Sequence, residues 1–201
     1  QWSSSAASDV YKRQLLYSIA YLCGYTDFDI DQLKNFRQLG KKTAGHPENF
    51  LSDVIETTTG PLGQGIANSV GFAIAEESLR ERFGRNIIDH HTFVIAGDGC
   101  LMEGVSQEAI SLAGHLSLSK LLVFWDNNNI TIDGTVDLTD STDQKKRFEA
   151  SGWEVIEIDG HDPEEIHSAI LAAKKSEKPT MIACKTHIAV SYTHLRAHET
   201  I

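Results

Sequence analysis

The chain has 201 residues, 41% of them hydrophobic and 23% charged, with a formal net charge of −10. That size suits one α/β domain able to bury roughly 70% of its unfolded surface, and the acidic balance excludes a general nucleic-acid binder, which needs a basic footprint. No apolar run is long enough to span a bilayer, and three widely separated cysteines without a CxxC pair fit a reducing, cytoplasmic setting.

Both ends look foreign to what lies between them. Residues 4–14 read SSAASDVYKRQ and residues 190–200 read VSYTHLRAHET. DVYKRQ can be encoded by a string whose reverse complement, read one frame over, encodes VSYTH, a relation that two unrelated termini should not have. Residues 1–14 and 190–201 are therefore expected to be adapter-like, non-native tails, flanking a natural segment over 15–189 that belongs to a longer protein.

Within that segment, residues 15–22 read as the tail of a helix stopped by Gly24, and residues 30–39 (IDQLKNFRQL) as a short helix capped by Asp29. The polar turn KKTAGHPEN and the punctuated stretch TTTGPLGQG lead into a long helix over 64–83. On it Ala67, Gly71 and Ala75 recur at every fourth position, which predicts a small-residue face for close packing. Four strand-like runs follow at 92–96, 121–125, 154–158 and 180–185, separated by helical patterns at 105–116, 144–150 and 163–175. This alternation predicts an α/β fold, a parallel sheet with helices on both faces joined by right-handed crossovers.

In such a sheet ligands collect beyond the carboxyl ends of the strands. Asp98 falls there, between Gly97 and Gly99 of VIAGDGCLMEG, and the next strand ends in Asp126, Asn127, Asn128, Asn129 and Ile130. An isolated GDG is most often a turn, and the two glycines are expected to let the backbone turn tightly. Its pairing with an asparagine-rich strand end about 30 residues later is far more specific. One carboxylate, one amide oxygen and one backbone carbonyl suit Mg²⁺ or Ca²⁺ and leave room for phosphate oxygens of a bound ligand. His46, in the AGHPE turn, is the loop histidine best placed to donate to a hydroxyl or shuttle a proton near neutrality. His90 and His91 read as structural, and His115, His161 and His167 have no evident partner. Glu103 and Glu108 stand at the start of the helix after GDG, where the dipole favours carboxylates.

LKNFRQL, KTAGHPE, ETTTGPLGQGIANSVGFAIAE, GDGCLMEG, SLAGHLSLSKL and ITIDG together resemble the cofactor-diphosphate domain of transketolase, and the likeness covers essentially all of 15–189. The resemblance implies the thiamin diphosphate-binding fold, here incomplete, with thiamin diphosphate and Mg²⁺ (or Ca²⁺) as cofactors. It makes Asp98, Asn128 and the backbone carbonyl of Ile130 the metal ligands and sets Gly99 beside the diphosphate. It gives the backbones of Gly60 and Leu62 to the aminopyrimidine, His46 to the reacting carbon, and Glu103 and Glu108 to the interface of a homodimer. Asn129 stands where many relatives have glycine, and asparagine tolerates the left-handed backbone. The implied activity is transfer of a two-carbon ketol unit between sugar phosphates, the cofactor carrying the carbon chemistry. Neither nucleic acid nor membrane is an implied partner. The 201-residue chain alone is expected to be inactive, since the family's activating glutamate belongs to a pyrimidine-binding domain on the partner subunit. A split-subunit transketolase, a dihydroxyacetone synthase and a non-catalytic metal and diphosphate-binding module remain alternatives.

Overall fold

The computed structural model describes residues 10–131 and 134–187, with side chains from Leu15 onward. Of the expected tails, 1–9 and 190–201 lie outside the described residues, while 10–14 begin the first helix.

The elements run in chain order as α1 (Val10–Leu22), α2 (Ile30–Lys34), α3 (Gln64–Phe83), β1 (Thr92–Gly97), α4 (Asp98–Met102) and α5 (Gly104–His115). They continue as β2 (Leu121–Asn127), a small hairpin of β3 (Ile130–Thr131) and β4 (Gly134–Thr135), α6 (Gln144–Ala150), β5 (Glu154–Asp159), α7 (Pro163–Ala173) and β6 (Thr180–Lys185). The four long strands pair in parallel in the order β1-β2-β6-β5. The expected α/β architecture is therefore present.

Successive residues of a strand point to opposite faces, and the core divides accordingly. Leu121, Val123 and Trp125 of β2 join Val94, Ala96, Met181 and Ala183 under α3, α5 and α6. Leu122 and Ile182 join Ile158 under Ala169 and Ala173 of α7. The amino ends of the strands are tied by charge. Glu76 on α3 is 2% exposed and its Oε1 meets Arg80 Nε at 3.4 Å and Lys120 Nζ at 3.1 Å, while Lys120 also pairs with Asp89.

A satellite core made of Tyr17, Ala20, Phe28 and Ile55 packs Leu33, Phe36 and Val54 around itself. Burying each large apolar side chain contributes roughly 1.5–3 kcal/mol, against about 1 kcal/mol for a single hydrogen bond. The 43–47 loop is tied to this cluster's elements by bonds from Tyr17 Oη to Ala44 O at 2.9 Å and from Thr43 Oγ1 to Gln32 O at 2.7 Å.

Three expectations need correcting. The helix capped by Asp29, whose side chain does accept from Gln32 N, ends at Lys34 and not at residue 39. Arg37 takes a left-handed φ of 62° and its N–H turns to Thr43 O, which a continuing helix forbids. Of the small-residue stripe on α3, Ala67 packs against the core but Gly71 and Ala75 are exposed, while Ile66, Val70 and Ala73 enter the core. The tight turn expected at Gly97 and Gly99 is a strand-to-helix junction, since Asp98 is the first residue of α4 and Gly97 before it is extended, at φ −99° and ψ 176°. No left-handed glycine makes that turn; the chain passes directly from strand to helix.

Candidate functional site at the carboxyl rim of the sheet

β1 and β2 pair in register up to Gly97 opposite Asp126. Asp98 thus emerges next to the strand end that leads into Asn128 and Ile130. Asp98 is only 5% exposed, and its Oδ1 accepts from the Trp125 indole Nε1 at 3.0 Å. A carboxylate this deep is stable as a charge only among donors or beside a cation. Asn128 Oδ1 accepts from Ile130 N at 3.0 Å, and Asn129 between them sits at φ 60°. That left-handed residue folds the chain so that the amide oxygen faces the next backbone, as the asparagine at this position was expected to allow. A cleft of about 270 Å³ opens beside these groups, lined by Asp98, Met102, Trp125, Asn127, Asn129 and Gln144 among others.

α4 stops at Met102 and α5 starts at Gly104, so the break falls at Glu103, which has extended backbone angles. The carbonyls that α4 leaves open are taken by α5: Ser106 Oγ donates to Cys100 O at 2.6 Å, and Gln107 Nε2 donates to Leu101 O. Glu103 and Glu108 are both exposed. Glu103 is the junction between two helices rather than a residue of the second.

The glycine-rich loop brings the separate motifs together. A Cβ placed on Gly60 would lie 2.4 Å from Cγ of His46, so the imidazole rests directly on that glycine. A Cβ on Gly99 would meet Leu62 Cδ1 at 3.4 Å, and one on Gly63, where φ is 81°, would crowd Ser106, Val105 and Glu103. Through Gly60, Leu62 and Gly63 the loop therefore touches His46, Gly99 and Glu103 in turn. His46 itself is exposed. Gly60→Ala is expected to displace the His46 ring, since the obstructing atoms belong to the ring's root and not to a flexible tip. Histidine ring NMR shifts in the variant check this, and an unmoved His46 signal refutes the contact.

Two residues of the rim were not singled out from the sequence. Trp125 read only as the last apolar residue of a strand, though an aromatic with a polar tip at a strand end commonly seeks a buried acceptor. Thr186 lies just past β6, where its hydroxyl donates to Asp126 Oδ1; nothing in the sequence pairs residues 60 apart. His161, without an evident partner in the sequence, accepts at Nε2 from His187 N at 3.0 Å. Cys184 is no nucleophile for this rim: burial, with the Asp126 carboxylate adding to it, pushes its thiol up to about 12.

Among the described residues, no group of three or more His, Cys, Asp or Glu side chains could hold a metal ion. The donors that the family resemblance implies, Asp98, Asn128 and the Ile130 carbonyl, would be of another kind, one carboxylate with an amide and a backbone oxygen. Nor is any helix among those residues long and apolar enough to cross a membrane.

Comparison with known proteins points in one direction. A transketolase of Rhodobacter capsulatus is 59% identical over 174 residues, 87% of this chain and 26% of its own length. One from Cereibacter sphaeroides matches at the same identity and coverage. The chain thus spans about a quarter of the length of these relatives. Among solved structures, the transketolase of Campylobacter jejuni superposes with a TM-score of 0.91 at 46% identity, covering 97% of this chain and 30% of that one. A transketolase of Pichia stipitis in complex with sedoheptulose 7-phosphate gives 0.86 at 44% identity, covering 92% and 28%. The family described as transketolase, thiamine diphosphate binding domain, matches residues 7–200, and the chain belongs to that family.

Proposed function

We propose that this chain is the diphosphate-holding part of a transketolase, and that the whole enzyme moves a two-carbon ketol unit from a ketose phosphate to an aldose phosphate. The observation that supports this best is the convergence of Asp98, Gly99, Leu62, Gly60 and His46 on one rim of a parallel sheet in a member of the thiamine diphosphate binding family. When bound, the cofactor supplies the carbon chemistry; the protein holds, orients and shields it. Asp98, the Asn128 amide oxygen and the Ile130 carbonyl would hold the divalent cation, a hard-oxygen set that suits Mg²⁺ or Ca²⁺. Gly99, without a side chain, leaves the diphosphate room beside Leu62. The Gly60 and Leu62 backbones would meet the aminopyrimidine. His46, propped on Gly60, would donate to a substrate hydroxyl or move a proton at the imidazole.

Glu103 and Glu108, both exposed, would face a second subunit in a homodimer. The three cysteines are unpaired, in keeping with a cytoplasmic enzyme.

The test is a chimera in which residues 15–187 replace the matching segment of the Rhodobacter capsulatus relative, assayed with xylulose 5-phosphate, ribose 5-phosphate, thiamin diphosphate and Mg²⁺. Turnover comparable with that of the unaltered relative is expected. A chimera that is folded and dimeric yet inactive overturns the proposal.

A further inference from the structure

The two proposed side-chain ligands are each gripped by a neighbour. Trp125 and Asp126 are consecutive at the end of β2, so their side chains leave on opposite faces of the sheet. The Trp125 indole reaches Asp98 Oδ1 at 3.0 Å. Asp126 Oδ2 accepts from Asn128 Nδ2 at 3.2 Å, and its Oδ1 accepts from the Thr186 hydroxyl. Thr186 is fixed in turn by its own N–H, which donates to Asn127 O at 3.2 Å. Gly160 makes that placement possible, since a Cβ there would lie 2.5 Å from Thr186 Cγ2.

The chemistry of these contacts has a direction. An asparagine amide offers a cation either its oxygen, which binds, or its NH₂, which repels, and the two ends have nearly the same shape. An ionised carboxylate only accepts, so Asp126 can hold only the NH₂ end of Asn128. Oδ1 is thereby turned the other way, where it takes the Ile130 N–H with one lone pair and keeps the second. An indole only donates, so Trp125 fixes one oxygen of Asp98 and with it the plane of the carboxylate.

We infer that Trp125 and Asp126 are positioning residues for the two side-chain metal ligands, Trp125 for Asp98 and Asp126 for Asn128, with Thr186 bracing Asp126. The inference rests on the ligand assignment proposed above. It adds that cation affinity is set at two consecutive positions that touch no metal, one on each face of a single strand end.

The experiment titrates Mg²⁺ into the full 201-residue chain in the presence of thiamin diphosphate, read by melting temperature and by tryptophan fluorescence, for which Trp125 is the local probe. Asp126→Ala raises the half-saturating Mg²⁺ concentration about 10–100-fold, the usual cost of losing a group that orients a ligand. Asp126→Asn keeps an acceptor oxygen but can also turn its NH₂ to Asn128, and so restores only part of the affinity. Trp125→Phe, read by melting alone, shifts it in the same direction as Asp126→Ala. Unchanged half-saturation in Asp126→Ala, while Asp98→Ala and Asn128→Ala both abolish the response, overturns the positioning roles and leaves the ligands standing. If Asp98→Ala and Asn128→Ala keep the Mg²⁺ response of the unaltered chain, the ligand assignment falls and the inference with it. A loss in Asp126→Ala that Asp126→Asn does not restore, with an equal fall in metal-free melting temperature, makes Asp126 purely structural and also overturns it.

Discussion

Asp98→Ala removes the whole stabilisation that thiamin diphosphate and Mg²⁺ together give the protein. The substitution takes away the sole carboxylate of the proposed cation set, and the remaining amide and carbonyl oxygens carry no formal charge against a dication held next to diphosphate. Ligand at about a hundredfold over its dissociation constant stabilises a native state by roughly 2.7 kcal/mol, and each kcal/mol moves the melting temperature by about 2–4 °C in a domain of 150–250 residues. Melting scans with and without cofactor plus Mg²⁺ read the difference. The variant also strips the Trp125 indole of its acceptor at a buried position, which costs about 1–3 kcal/mol by itself. The quantity to compare is therefore the shift induced by ligand, not the absolute melting temperature. An undiminished shift in Asp98→Ala refutes the assignment.

His46→Ala separates chemistry from holding. In the chimera its expected effect is a fall in turnover of about 10² to 10⁴, the contribution of one positioned general acid or base, with a smaller change in cofactor affinity. The geometry supports that split: His46 rests on Gly60 of the glycine-rich loop, whereas Asp98 and Asn128 stand at the ends of β1 and β2. A steady-state kcat with a separate cofactor titration decides the matter. Equal losses in the two make His46 an anchor for the cofactor instead.

Much of the fold was legible because the central strands β2 and β6 are buried on both faces and so read as continuous apolar runs. The run at 180–185 coincides with β6, and 64–83 with α3, whose limits are punctuated by glycines on either side. The order β1-β2-β6-β5 was not legible, since it depends on which neighbour β6 chooses and that choice lies in packing, not in local pattern. The residues 30–39 misled because Leu33, Phe36 and Leu39 keep a helical spacing, yet Leu33 and Phe36 are recruited by the satellite core while Leu39 is exposed. At the rim, Asp98, Asn128 and His46 were singled out through motifs and a family resemblance. Trp125 and Thr186 were not, because a partner 27 or 60 residues away leaves no mark on local sequence.

The charge lock formed by Glu76, Arg80 and Lys120 sits at the amino ends of the strands, and the rim sits at the carboxyl ends. Dissolved salt acts unevenly on such an arrangement. Mobile ions screen charges they can surround, with a Debye length of about 8 Å at physiological ionic strength, and screen buried pairs much less. Glu76 at 2% and Arg80 at 7% exposure stand largely beyond their reach. At the opposite end Asp137 and Asp140 line the cleft and reach open solvent, where every added ion weakens their repulsion of one another and of any anion. Rising ionic strength therefore relaxes the acidic mouth of the cleft while leaving the clasp at the strands' amino ends.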